Sequence, residues 1–157
     1  MAKCLSEMSD ENFFKLVLNN DISLKYWTHS YHIRLAYILA TKYDSSYEVF
    51  NNFKFFVQKT SQKLYKNESH RGYHETLTVF WLSLVLPVAN EFKKTETDSI
   101  HFYNENKVFW NKYLPYLFYS KELLFSNKAK NQFIQPNKNP FTLLPEIINT
   151  EALEKAG

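Results

Sequence analysis

Four of the five histidines fall in two short groups, His29 with His32 and His70 with His74. Three residues apart on a helix, His29 and His32 present two imidazoles on one face, a spacing that can feed one divalent transition metal or supply a general base. His74 opens a second apolar stretch and shares its stripe with Thr78, Trp81, Val85 and Val88, at steps of four, three, four and three. A candidate site follows from these positions. His29, His32 and His74 serve as metal ligands or catalytic groups, and Glu75 is the carboxylate that ligates or orients them. Thr78 and Trp81 are the contacts to a bound small molecule, and Glu48 is a second available carboxylate. His70 and His101 lie in or beside polar loops and read as solvated.

Two readings stay open. In the first, polar groups placed inward on apolar helices are there to bind or to react, because burying them without use is expensive. In the second, the histidines and Glu75 form a structural hydrogen-bond network that fixes helix register in a non-enzymatic interaction module. Such a network avoids the ~1–3 kcal/mol cost of an unsatisfied buried group. Aromatics from Tyr116 to Phe125 then form the partner surface. Accessibility separates the two: a reachable cavity beside His29 and His74 favours the first, a closed network the second.

Named catalytic signatures are missing. His74-Glu75 starts like a zinc-protease helix, but Thr78 stands where the second histidine belongs. There is no Glu-x-x-His unit of the kind di-iron bundles use. The only glycines are Gly72 and Gly157, so neither a phosphate-cradling loop nor a Gly-x-Ser-x-Gly turn exists.

The elements that must position these residues are helical. Apolar stripes predict helices over Asp10–Leu18, Thr28–Tyr43, Tyr47–Lys66, His74–Lys93 and Ile100–Leu114, with short pieces at Ser120–Phe125 and Ser126–Phe133. His29, His32, Ile33, Ala36, Ala40 and Tyr43 share one stripe of the second helix, which turns both histidines inward. Three prolines between Gln135 and Pro145 predict an extended segment that wraps the bundle, anchored by Phe133, Ile134, Phe141, Leu143 and Leu144. The expected fold is all-α: a single bundle of five or six helices over residues 1–157, with a core from about 10 to 145 and frayed ends.

Composition narrows the class. Of 157 residues, 45% are hydrophobic and 22% charged, which suits a globular domain, and two glycines are too few for a turn-rich β-sandwich. The formal charge is +3, and only Arg34 and Arg71 supply guanidinium groups, which argues against a dedicated nucleic-acid binder. No run reaches the ~20 apolar residues that span a bilayer. With the lone Cys4 and no leader-like start, the expected location is the cytoplasm.

Three segments resemble a family of small, largely uncharacterised bacterial proteins. Trp27-Thr28-His29-Ser30-Tyr31-His32-Ile33-Arg34-Leu35-Ala36 is similar to that family's aromatic-Thr-His-x-x-His-Leu-x-x-Ala. Gly72-Tyr73-His74-Glu75-Thr76-Leu77-Thr78, followed by Trp81, is similar to its Tyr-His-Glu-Thr-Ile/Leu-Thr-x-x-Trp. Ser126-Asn127-Lys128-Ala129-Lys130, with Phe133, Ile134, Pro136 and then Leu144-Pro145, resembles its Ser-x-x-Ala-Arg-x-x-Phe-Val-x-Pro-Asp ending. Lys130 and Asn137 depart from that pattern, which has Arg and Asp. The resemblance implies an all-helical fold and a residue list, and no reaction.

Overall fold

The computed structural model describes residues 7–66, 68 and 72–142. Cys4, His70, Arg71, Leu143, Leu144 and Pro145 lie outside them, as do residues 1–6 and 143–157, where fraying is expected. Four helices carry most of the chain: α1 (Asp10–Leu18), α2 (His29–Lys42), α3 (Ser46–Leu64) and α4 (Glu75–Phe92). Three short ones follow, α5 (Ser99–Glu105), α6 (Lys121–Leu124) and α7 (Asn127–Asn131). Single 3₁₀ turns occupy Leu24–Tyr26, Lys93–Thr95, Lys107–Trp110 and Leu114–Leu117. There is no strand among the described residues, and the architecture is an all-α bundle.

Each of these helices starts at a side chain that accepts a hydrogen bond from the N–H three residues on. The caps are Ser9, Thr28, Ser45, His74, Asp98, Ser120 and Ser126. Free N–H groups at a helix start need such partners, and six of the seven are the Ser, Thr or Asp that supply them best. His74 is the exception, and it is a residue of the candidate site.

Helix α2 is the centre of the bundle, packed by α1, α3, α4 and α5. Its run from Ile33 to Ala40 is buried on every side, which explains an apolar surface wider than one stripe. Arg34 interrupts that run at 3% exposure. Its guanidinium donates to the Met8 carbonyl and to Ser99 Oγ, and pairs with Asp10 at 3.3 Å. Asp10 in turn accepts from the Ser99 backbone N–H at 2.9 Å. One buried charge therefore ties α1, α2 and α5 together. Partnering of this kind is what makes burial of a charge tolerable.

The helix expected over Ile100–Leu114 stops early. It ends at Glu105, because the Asn106 amide donates to the Phe102 carbonyl and its backbone leaves helical geometry (φ −117°, ψ 64°). An asparagine that bonds the carbonyl four residues back competes with the helix ladder. The chain then continues as two 3₁₀ turns, the second with Pro115 near its start.

From Phe133 to Thr142 the chain runs without helix or strand. Asn137 accepts from the Ser120 N–H at 2.9 Å, Lys138 N donates to the Phe118 carbonyl at 2.9 Å, and Phe141 packs edge-on to Phe80. As far as it is described, the segment wraps the bundle and covers a small second core of Phe80, Tyr119 and Leu124.

Candidate functional site

The start of α2, the middle of α3 and the first half of α4 enclose a cavity of about 210 Å³. Its wall is mostly rings and aliphatic groups, among them Trp27, Ile33, Phe53, Leu77 and Trp81. His29, His32 and His74 line it too, as does Thr78. Five of the six predicted site residues thus meet at one cavity. Glu75 does not. It pairs with Lys54 at 2.9 Å and faces an adjoining polar cleft of about 520 Å³ that also holds Lys66 and Lys130. Gly72 and Tyr73 border both spaces. Glu48 is exposed on α3 and borders neither.

Each histidine is held by a backbone carbonyl, and this fixes where its proton sits. Because a carbonyl only accepts, the ring nitrogen facing it must carry the hydrogen. His29 Nε2 donates to the Phe109 carbonyl at 2.5 Å, reaching the 3₁₀ turn at Lys107–Trp110. His32 Nδ1 donates to the Thr28 carbonyl at 2.6 Å, one turn back on its own helix. His74 Nε2 donates to the Leu124 carbonyl at 2.7 Å, and its Nδ1 accepts from the Leu77 N–H at 3.1 Å as the cap of α4. Both nitrogens of His74 are therefore used by the scaffold. Those of His29 and His32 are not: Nδ1 of the first and Nε2 of the second have no partner among the described residues.

Burial keeps all three rings neutral. Loss of hydration lowers the pKa of His29, offset in part by the Phe109 carbonyl and reinforced by Lys112. The same cause, opposed by the Thr28 carbonyl and aided by His29, brings His32 down to about 4. His74 is lowered by burial against the pull of the Leu124 carbonyl, with Lys130 adding to the shift. A neutral imidazole with one nitrogen donating leaves a lone pair on the other. Only the hydroxyls of Tyr31 and Tyr73 are buried, unpartnered side-chain polar atoms among the described residues. The unpaired nitrogens of His29 and His32 are not among these fully buried atoms.

Ring packing sets the orientation of the two imidazoles. His29 lies 4.6 Å from Trp81, tilted at 56°, and His32 stands edge-on to Trp27 at 4.6 Å. Phe53 of α3 closes on His32 from the other side at 6.3 Å. Tyr73 forms the partition between cavity and cleft. Burial and the nearby Glu75 raise its pKa, so its hydroxyl keeps its proton.

The cavity is assembled largely from two of the three segments singled out in the sequence. The segment from Trp27 to Ala36 supplies one wall, and that from Gly72 to Trp81 the facing one. The third segment buttresses the second from behind. The Thr76 hydroxyl is shared between the Ala129 and Gln132 carbonyls at 2.6 and 2.9 Å, and Lys130 Nζ donates to the Tyr73 carbonyl at 2.7 Å. Lys130 and Asn137 make separate bonds, to Tyr73 and to Ser120.

Phe53 and Val57 of α3 line the cavity, and their positions on the apolar stripe of that helix gave a signal for burial alone. The carbonyls of Phe109 and Leu124 leave no trace in sequence at all. His101 is exposed and lies away from the cavity, whereas Tyr119, within the aromatic segment Tyr116–Phe125, is fully buried. Among the described residues there is no group of three or more His, Cys, Asp or Glu arranged to hold a metal ion. Nor is any helix there long and apolar enough to cross a membrane. No protein-family model, curated protein or solved structure matches the chain.

Proposed function

We propose that this protein binds a small, largely apolar molecule in the cavity between α2, α3 and α4. One observation carries the reading: a ring-walled space of about 210 Å³ is bordered by two neutral imidazoles, each with a nitrogen that no group among the described residues satisfies. An apolar cavity of about 150 Å³ is large enough to take up benzene, so this one suits a ligand of one ring with substituents. Trp81 and Thr78 are contacts in this reading, and His29 and His32 are the polar groups that orient the ligand. His74 serves as scaffold, because both of its nitrogens are committed to backbone. That assignment also weighs against a three-histidine metal centre, since His74 has no lone pair to offer.

The protein carries three tryptophans, and they make the test direct. Trp27 and Trp81 line the cavity, whereas Trp110 is 44% exposed elsewhere and serves as the internal control. Titration with single-ring aromatics should shift the indole N–H resonances of Trp27 and Trp81 saturably and leave that of Trp110 in place. Replacing Ala36, which is buried on the cavity wall, by Leu should fill the space and abolish the shift. No saturable change at millimolar ligand, or equal drift of all three resonances, would reject the binding reading.

A further inference from the structure

The hydrogen-bond chemistry of the cavity selects among single-ring ligands. His29 and His32 each donate their only N–H to a backbone carbonyl, so what they offer a ligand is a lone pair. The Thr78 hydroxyl donates to the His74 carbonyl at 2.9 Å and likewise has only lone pairs to spare. Among the described residues, three fixed acceptors thus sit on a mostly apolar wall, beside the unpartnered hydroxyl of Tyr73.

Charge is disfavoured on both sides. Among the described residues, no Asp, Glu, Lys or Arg lines the cavity. Lys112 acts on His29 with positive potential, which repels a cation, and at His74 the positive Lys130 is opposed by Glu75. An anion would face lone pairs in a space where loss of hydration is costly. The rings of Trp27, Phe53, Tyr73 and Trp81 favour a flat partner.

We infer that the cavity takes an uncharged aromatic molecule bearing an O–H or ring N–H, which donates to His29 Nδ1 or His32 Nε2. This rests on the binding reading above and narrows it to a ligand class. A site built to accept a hydrogen bond discriminates against an isostere that cannot give one, because its buried acceptors are then left unpaired.

The probes are phenol, toluene and anisole, which share a ring and differ in whether the substituent donates, does neither or only accepts. Affinities are read from the Trp27 and Trp81 resonances at pH 7.5. In a merely apolar cavity toluene binds more tightly than phenol, since the hydroxyl is costly to dehydrate. The expected result is the reverse, with phenol about ten-fold tighter than toluene and anisole no better than toluene, the advantage of about one charge-free hydrogen bond. His29→Leu and His32→Leu, made separately, should each keep toluene binding, and at least one should erase the phenol preference. Toluene or anisole binding more tightly than phenol overturns the donor class while leaving an apolar binding cavity. A phenol preference that survives in both variants also overturns it, because the acceptor is then another group. If none of the three binds, the binding reading fails and the ligand class with it.

Discussion

The His32 imidazole gives the protein a defined acid sensitivity. Its pKa falls from the ordinary 6.5 to about 4 in the folded state, first because burial strips its hydration and second because the Thr28 carbonyl only partly compensates. The unfolded chain binds a proton at this ring more readily than the folded chain does. Acid therefore favours unfolding. The stabilisation is intact above pH 6.5, declines as pH falls below that value, and is exhausted near pH 4. A difference of this size corresponds to about 2 kcal/mol lost by pH 5 and about 3 kcal/mol in full. The comparison that isolates it is wild type against His32→Asn, whose amide can still donate to the Thr28 carbonyl but does not titrate. Urea denaturation should show the variant less stable by about 1–2 kcal/mol at pH 7.5, because the smaller side chain leaves space beside Trp27 and Phe53. That deficit should close, or change sign, by pH 5. His29, His74 and the carboxylates contribute to both curves and so cancel in the difference. Parallel stability curves from pH 7.5 to 5 would refute the reasoning, since they would mean that His32 titrates alike in the folded and unfolded chain.

Two further outcomes follow from the scaffold. Asp10→Ala removes the carboxylate that faces the buried Arg34 guanidinium and accepts from Ser99, and should cost about 3–5 kcal/mol in urea denaturation. A loss under 1 kcal/mol would show that this ion pair does not hold α1 to the bundle. His74→Asn keeps a good helix cap but gives up the reach to the Leu124 carbonyl, whereas His74→Ala loses both. The alanine variant should therefore be the less stable by about 1 kcal/mol, and equal melting of the two would remove the capping role assigned to His74.

Local signals account for most of what could be read without coordinates. The main helix starts were legible because the apolar stripes begin there, and Ser9, Thr28, Ser45, Ser120 and Ser126 each satisfy an N–H within the next turn. The inward placement of His29, His32, Thr78 and Trp81 was legible because helical periodicity fixes which residues share a face. The helix expected to reach Leu114 was misjudged because its apolar pattern continues past Glu105. The Asn106 amide, which bonds back to Phe102, has the same sequence signature as a solvated asparagine.

Roles within the site were a different matter. His74 looked like a partner of His29 and His32, and sits beside the same cavity, yet its lone pair is spent on the Leu77 N–H. Glu75, its neighbour in sequence, turns instead to Lys54 and the polar cleft. The sequence alone determined the all-helical class, the main helix starts and the face on which the candidate residues lie, because these follow from contacts a few residues apart. Only the tertiary structure decided which nitrogens remain free, where Glu75 points and that α3 closes the cavity. Apart from the local bonds of His32 to Thr28 and of His74 to Leu77, those outcomes depend on groups 20 to 80 positions away, such as Phe109 for His29, Leu124 for His74 and Lys54 for Glu75. Periodicity carries no information about which distant atom a side chain meets.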